Sequence, residues 1–242
     1  MKQLTLPIQI NQGNYFDSFY VCEHNQTLIQ ALRSFASAQS GHGLGVEVKH
    51  TQSFYIWGES GVGKSHLAYG VCQYAHQLGL QAGLLDLAQL DCLGAKALFE
   101  LEGLDLVCWD NLDVALGVGD SGLAERLLHA YNRMRDASIK LLMTASLPPH
   151  ELNLQLADFE SRLNWGLTYQ IKPLDDLDKV AALKLLGQER GIYLSESVAQ
   201  FILRRVNRHM AVLGDVLDKL DSASLSQQKK ITIPFVKASL GW

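Results

Sequence analysis

Ser53-Phe54-Tyr55-Ile56-Trp57-Gly58-Glu59-Ser60-Gly61-Val62-Gly63-Lys64-Ser65 is the stretch on which the reading of this chain turns. Its first five residues form a short apolar run, the pattern of a strand covered on both faces. The next eight carry Gly58-x-x-x-x-Gly63-Lys64-Ser65, the complete spacing of a P-loop. A helix is predicted from about Lys64 to Gln77, so the loop has the strand before it and the helix after it that the motif requires. Glycines let successive backbone N–H groups turn inward on a phosphate, and the helix N-terminus adds a favourable dipole. Lys64 is expected to reach the β- and γ-phosphates, and the Ser65 hydroxyl to hold Mg²⁺. Gly58, Glu59, Ser60, Gly61, Val62, Gly63 and His66 complete the expected nucleotide contacts. The alternative is a glycine-rich turn formed by chance, which would have to explain all four fixed residues and both flanks.

Outward from this stretch the alternation continues. Further strands are predicted at 82–86, 104–110, 139–144 and 167–171. A helix carrying Leu123, Leu127, Leu128, Tyr131 and Met134 lies between the third and fourth. Upstream, Asn25 is placed to cap a helix to Ala38 with apolar residues at Leu28, Ile29, Leu32, Phe35 and Ala36. Strand–helix alternation implies an α/β fold, a parallel sheet with helices on both faces. After Pro173 the pattern becomes helical. Asp175 and Asp176 cap a helix to about Arg190, a second starts near Ser195, and a third runs from Met210 to Leu225. The apolar tail 231–236 is read as an extended segment before a last helical turn. The expected division is 1–14 as a tail, 15–172 as the nucleotide-binding core, and 173–242 as a small all-helical lid.

The chain has 242 residues, 48% hydrophobic and 19% charged, enough for a substantial core. Its net charge of −4 lacks the basic excess that phosphate neutralisation demands of a dedicated duplex-DNA reader. No run approaches the ~18 apolar residues of a membrane span, and the N-terminus lacks a leader's apolar stretch. Cys22, Cys72, Cys92 and Cys108 form no CxxC pair and sit in apolar company, so four buried reduced thiols are expected. These features point to the cytoplasm.

A P-loop needs an acidic residue for Mg²⁺ at the end of a neighbouring apolar strand. Leu106-Val107-Cys108-Trp109-Asp110 supplies Asp110. The next position, where a carboxylate often orients the attacking water, is Asn111, and an amide cannot act as a base. Asp113 can substitute or can equally cap a loop. Slow intrinsic hydrolysis is therefore expected. Thr144-Ala145-Ser146 ends another strand with small polar residues, either to touch a γ-phosphate or simply to close the strand.

The P-loop, the Trp109-Asp110-Asn111 and Thr144-Ala145-Ser146 strand ends and the helical lid together resemble the AAA+ ATPases. Ser161-Arg162-Leu163-Asn164-Trp165-Gly166 resembles the arginine-finger box of the replication initiator DnaA. Asn207-Arg208-His209 occupies the place of the family's sensor-2 arginine, among Arg204 and Arg205. The resemblance to the DnaA-related proteins spans about Phe16 to Trp242. The resemblance implies that Arg162 acts in trans, reaching the γ-phosphate held by the initiator. The bland reading is a surface arginine paired with Asp158 or Glu160. The resemblance also implies that Arg208 reaches this chain's own ADP or ATP, and that Phe19, Tyr20 and Val21 pack on the base or else on the core. Ser146 stands at the sensor-1 position, where the initiator has an acid.

Gln3-Leu4-Thr5-Leu6-Pro7-Ile8 resembles the short peptide with which partners dock on the bacterial sliding clamp. Gln3, Leu4, Leu6, Pro7 and Ile8 are its contact residues. Two buried leucines offer about 1.5–3 kcal/mol each, offset by association costs, so one peptide binds at roughly micromolar strength. Avidity on a dimeric clamp raises it. With no initiator-type DNA-reading domain expected after the lid, this peptide makes the chain similar to the Hda family among the DnaA-related proteins, whose implied role is to join the clamp on DNA and make initiator-bound ATP hydrolyse, which blocks re-initiation. DNA is then met only through the clamp, no membrane is involved, and a homo-oligomer is open. No initiator-type DNA-reading helices follow the lid. A helicase loader would need a helicase-binding domain where only the few residues before Phe16 stand. A small-molecule kinase would need an arginine-rich lid, and a nucleotide-gated adaptor would not use Arg162.

Overall fold

Five short apolar runs build the sheet. They are β1 (Ser53–Trp57), β2 (Ala82–Asp86), β3 (Leu106–Asp110), β4 (Lys140–Ala145) and β5 (Leu167–Gln170). The computed structural model describes residues 16–37, 51–90, 95–98, 101, 103–117, 122–154, 156–206, 210–227 and 230–242. The expectations placed on the N-terminal peptide, on Cys92 and on Arg208 lie outside the described residues. The strand order is β2-β3-β4-β1-β5, parallel throughout. All five residues of β3 are buried, as are the first four of β1. Strands covered on both faces read as unbroken apolar runs. The edge strand β5 instead exposes Thr168 and Gln170.

The described residues fall into two compact units. The first holds Phe16 and those of Glu23–Glu59 and Lys64–Lys172. The second holds Asp17–Cys22, Ser60–Gly63 and those of Pro173–Trp242. In the first unit the helices are α1 (Gln26–Ala36), α2 (Lys64–Gln77), α3 (Leu112–Leu116), α4 (Leu123–Asp136) and α5 (Ala157–Leu163). The pleat sends alternate side chains to opposite faces. Phe54 meets Phe35 of α1 edge-on, ring centroids 5.4 Å apart, and stacks on Tyr169 at 5.5 Å. Tyr55, Trp109 and Met143 share a core with Leu127, Tyr131 and Met134 of α4 and with Phe159 and Leu163 of α5. Lys140 ties α1 to the sheet, its ammonium donating to the carbonyls of Phe35 (2.7 Å) and Ser37 (2.9 Å).

The second unit contains α6 (Asp176–Glu189), α7 (Glu196–Leu203), α8 (Met210–Gln227) and α9 (Ile233–Leu240). Asp175 caps as expected, accepting from the Asp178 N–H, and Ser195, where the next helix was expected to start, accepts from the Val198 N–H. Leu183, Val198, Ile202, Leu213, Leu217 and Val236 form its core.

Three expectations are corrected. The tail 231–236 is not extended beyond its first residues. Thr232 caps Phe235 and Pro234 occupies the first turn of α9, because proline fits the helix start but cannot donate to a ladder. Asn25 stands at the N-cap of α1 with φ −113° and ψ −6°, and its side chain makes no capping bond. Capping needs an extended backbone at that position. Cys22 is half-buried, flanked by exposed Val21 and Glu23, whereas Cys72 and Cys108 are buried with their sulfurs 3.4 Å apart.

Gly166 joins α5 to β5 at a point where only glycine fits. A Cβ there would lie 2.1 Å from the Ser53 carbonyl oxygen and 2.4 Å from the Ser53 hydroxyl. Gly166→Ala is expected to cost about 3 kcal/mol through overpacking. Gly214→Ala, in α8 with nothing within 4 Å of the new methyl, is expected to gain up to ~1 kcal/mol from helix propensity. Urea unfolding of both variants checks the contrast, and equal stabilities would contradict this account of the α5–β5 junction.

Candidate functional site

Parallel strands bring their C-terminal ends to one edge of the sheet. In register across β2 and β3, Asp86 is paired with Asp110; across β1 and β4, Trp57 is paired with Ala145. The loop after β1 begins there. The Gly58 amide donates to the Ala145 carbonyl at 3.2 Å. A Cβ on Gly58 would fall 2.3 Å from the Ile171 carbonyl oxygen, so the chain can pass between β4 and the end of β5 only as glycine. Gly61 and Gly63 have φ of 79° and 100°. These left-handed turns are what an inward-facing row of N–H groups requires.

Lys64 opens α2 and is buried, 8% exposed. Its ammonium donates to the carbonyls of Gly58 (2.7 Å) and Glu59 (2.9 Å), so the charge is held inside the loop. Burial lowers its pKa, against the opposing pull of Asp113 and Asp110. Ser65 and His66 follow half-buried in the first turn. Ser60 is exposed, Val62 half-buried, and Glu59 turns its side chain to solvent. In the second unit, the ring of Phe19 lies against Gly63, close enough to sit 2.8 Å from a Cβ placed there. Tyr20 donates to Asp178 at 3.1 Å, and burial followed by this carboxylate raises its pKa. Val21 is 45% exposed.

Asp110 is 3% exposed and sits at the end of β3. The fully buried Thr144 hydroxyl donates to Asp110 Oδ1 through a short bond and accepts from the Asn111 N–H at 3.2 Å. Asn111 itself adopts the left-handed region, φ 59° and ψ 44°. Its amide donates to Asp86 Oδ1 at 2.9 Å and approaches Asp110 Oδ2 at 3.4 Å. Thr144 is therefore turned onto the Asp110 carboxylate, and Ser146 is the half-buried residue of that strand end. Asp86 was not singled out in the sequence. An acidic residue closing an apolar strand, as at Asp110, was the available signal. Asp113 lies near enough to Lys64 and Tyr55 to influence both.

Arg162 stands in the last turn of α5. Among the described residues no carboxylate pairs with it, neither Asp158 nor Glu160. Its guanidinium instead lies 4.3 Å from the ring centroid of Trp165, which is 63% exposed. This bears against the reading of Arg162 as a locally paired surface charge. Its backbone is fixed: the Tyr131 hydroxyl hydrogen-bonds both the Ser53 hydroxyl and the Arg162 carbonyl, at 3.2 Å each.

The sheet order, the loop and the adjoining helices are those of an AAA+ α/β protein. Domain III of the replication initiation protein DnaA from Thermotoga maritima matches with a TM-score of 0.76 at 19% identity, covering 94% of this chain and 96% of that one. AMPPCP-bound DnaA from Aquifex aeolicus gives 0.68 at 17%, over 87% and 65%. A RuvB variant from Thermotoga maritima gives 0.63 at 12%, over 93% and 72%. Residues 176–240 match the lid domain of the Hda family. Residues 176–240 thus carry the Hda-type lid, and the chain shares the fold of DnaA domain III. Among the described residues no helix is long and apolar enough to cross a membrane.

Thr144→Val removes both the hydroxyl given to Asp110 and the acceptor of the Asn111 N–H. Hydrogen bonds to buried charged groups are worth about 1.5–3 kcal/mol. A loss of that size is expected in urea unfolding at neutral pH, while Thr144→Ser should retain most of the stability.

Proposed function

We propose that this chain binds ADP or ATP with Mg²⁺, docks on the DNA-loaded sliding clamp, and makes DnaA-bound ATP hydrolyse, so that replication does not restart. The observation that carries the reading is Arg162, a guanidinium with no carboxylate partner among the described residues, resting on an exposed aromatic ring. An arginine paired with Asp158 or Glu160 would have its N–H donors already engaged. One meant for another molecule's phosphate stays uncommitted until that phosphate arrives.

The P-loop residues suit a nucleotide: left-handed glycines, a buried lysine charge, and a helix start. Solved DnaA with AMPPCP supports the same ligand class here. Mg²⁺ fits as well. It keeps several waters and uses one or two protein oxygens beside phosphates, so Ser65 and Asp110 suffice. Among the described residues no cluster of three or more metal-ligating side chains suggests a different ion. When bound, the ion offsets phosphate charge. Asn111 offers an amide, already engaged by Asp86, where a base would stand. That supports weak hydrolysis by this chain itself. Its contribution is then to its partner: Arg162 offsets the charge that develops on the transferring phosphoryl group, an effect worth about 10³–10⁵ elsewhere. The clamp contact rests on Gln3, Leu4, Leu6, Pro7 and Ile8. Arg208 and the stretch Phe19 to Val21 are assigned to this chain's own nucleotide.

Arg162→Ala is expected to keep its fold, its nucleotide and its clamp binding, yet to lose stimulation of the initiator by about 10³. The measurement is conversion of radiolabelled initiator-bound ATP with clamp loaded on DNA. Wild-type conversion would leave the nucleotide-gated adaptor as the reading. Lys64→Ala should weaken nucleotide binding about ten- to hundredfold, the range for charge-assisted hydrogen bonds, by calorimetry. Alanine at Gln3, Leu4 and Leu6 should abolish clamp capture without moving the melting temperature.

A further inference from the structure

Trp165 is the ring on which the Arg162 guanidinium rests. It is a large aromatic side chain, 63% exposed, immediately before Gly166, whose backbone is wedged against Ser53. Nothing in the core requires an indole there. Two guanidinium groups lie over its ring, Arg162 at 4.3 Å and Arg135 at 5.7 Å from the centroid. Arg135 also pairs with Asp136 at 3.1 Å. Arg162 has no such partner among the described residues.

The backbone around the pair is constrained on every side. The Arg162 carbonyl accepts from Tyr131 at 3.2 Å and from the Trp165 N–H at 3.1 Å. The Asn164 amide returns to the Glu160 carbonyl at 2.9 Å. The ring and the guanidinium thus start from fixed backbone positions three residues apart, the spacing at which side chains on a helix end meet. A free arginine side chain otherwise samples many rotamers, and ordering it costs that freedom. A ring face confines the guanidinium by its quadrupole, and does so without using the N–H donors. A carboxylate would hold the arginine equally well, but would occupy those donors and cancel the charge.

We propose that Trp165 is a positioning residue for Arg162. It is an aromatic perch that holds the guanidinium extended, charged and with its donors available to a phosphate on a partner chain. This rests on the reading of Arg162 as a group acting in trans. A perch affects how often the guanidinium is in place once the partners are together, so it sets the saturating rate. A docking residue would change the concentration needed to reach that rate.

The test compares Trp165→Leu, which keeps apolar bulk but has no ring face, with Trp165→Phe, which keeps a face. DnaA loaded with radiolabelled ATP, with clamp on DNA, is titrated with each variant and with Arg162→Ala. The leucine variant should lower the saturating rate about two- to fivefold, the range of an exposed cation–π contact. Its half-saturating concentration should not move, and phenylalanine should recover most of the rate. A wild-type saturating rate for leucine, equal losses for leucine and phenylalanine, or a change only in half-saturating concentration would each overturn the perch. These outcomes are separate from the finger itself. Full stimulation by Arg162→Ala would defeat the finger, and with it the perch. A dead Arg162→Ala beside an unimpaired Trp165→Leu would defeat the perch alone. A double-mutant cycle on Arg162→Ala and Trp165→Leu in urea unfolding reads the contact without activity. Non-additive stabilities are expected, and strict additivity would contradict the contact.

Discussion

The Thr144 hydroxyl joins the ends of β3 and β4 just past Trp109 and Met143, the last pair of the ladder between them. It donates a hydrogen bond to Asp110 and accepts one from the Asn111 N–H. A carboxylate only 3% exposed is costly unless its oxygens are matched, and this hydroxyl matches one of them. The same bond helps fix the left-handed turn at Asn111, which aims the asparagine amide at Asp86 rather than outward. One buried oxygen atom therefore settles where the acidic group sits, how β3 ends, and which way the next side chain points. The loop after β1 depends on the same edge, because the Gly58 amide bonds the Ala145 carbonyl next to Thr144.

The sheet was legible because parallel strands buried on both faces leave an unambiguous mark: short apolar runs between glycine or polar stops. Their ends shifted by one or two residues, since Leu104 and Asp105 are apolar and acidic like the strand but lie outside its ladder. The tail 231–236 was not legible by the same rule. Its β-branched run looks like a strand, and only Thr232 and Pro234, read as a cap and a first-turn residue, mark it as the start of a helix. Asn25 shows the reverse. Its residue type suits a cap, but the backbone angles that capping needs are set by the turn before it, which composition does not reveal.

At the site, partnerships were not legible. Resemblance offered Arg162, and spacing offered Lys64 and Asp110. It could not show that Thr144 faces Asp110, that Asp86 receives the Asn111 amide, or that Tyr131 reaches the carbonyl of Arg162 across 31 residues of sequence. Those bonds depend on strand register and on helix placement, which arise from the whole core. The Arg162–Trp165 contact is intermediate. Its spacing is local, but the sequence offered Asp158 and Glu160 as nearer and more strongly attracting partners. Exposure decides between them. Ion pairs in water are worth little, so a carboxylate nearby in sequence does not capture the guanidinium by default, and a ring at the right rotamer can.

That weakness of surface ion pairs bears on how a chain can keep a charge in reserve. A buried arginine is committed to its partner, because leaving it unpaired there costs several kcal/mol. A fully solvated one is uncommitted but unplaced. On the proposed reading Arg162 stands between these limits. Its backbone is held by Tyr131 and by the Gly166 wedge, while its guanidinium rests on a polarisable face that asks for no proton and offers no opposite charge. Asn111 is the complement of this arrangement. Where a base would serve this chain's own nucleotide, an amide is locked onto Asp86. On that reading the division would leave nucleotide binding to stabilise the chain's own state and direct the available charge outward, as a regulator of another protein's hydrolysis requires and a self-sufficient ATPase does not.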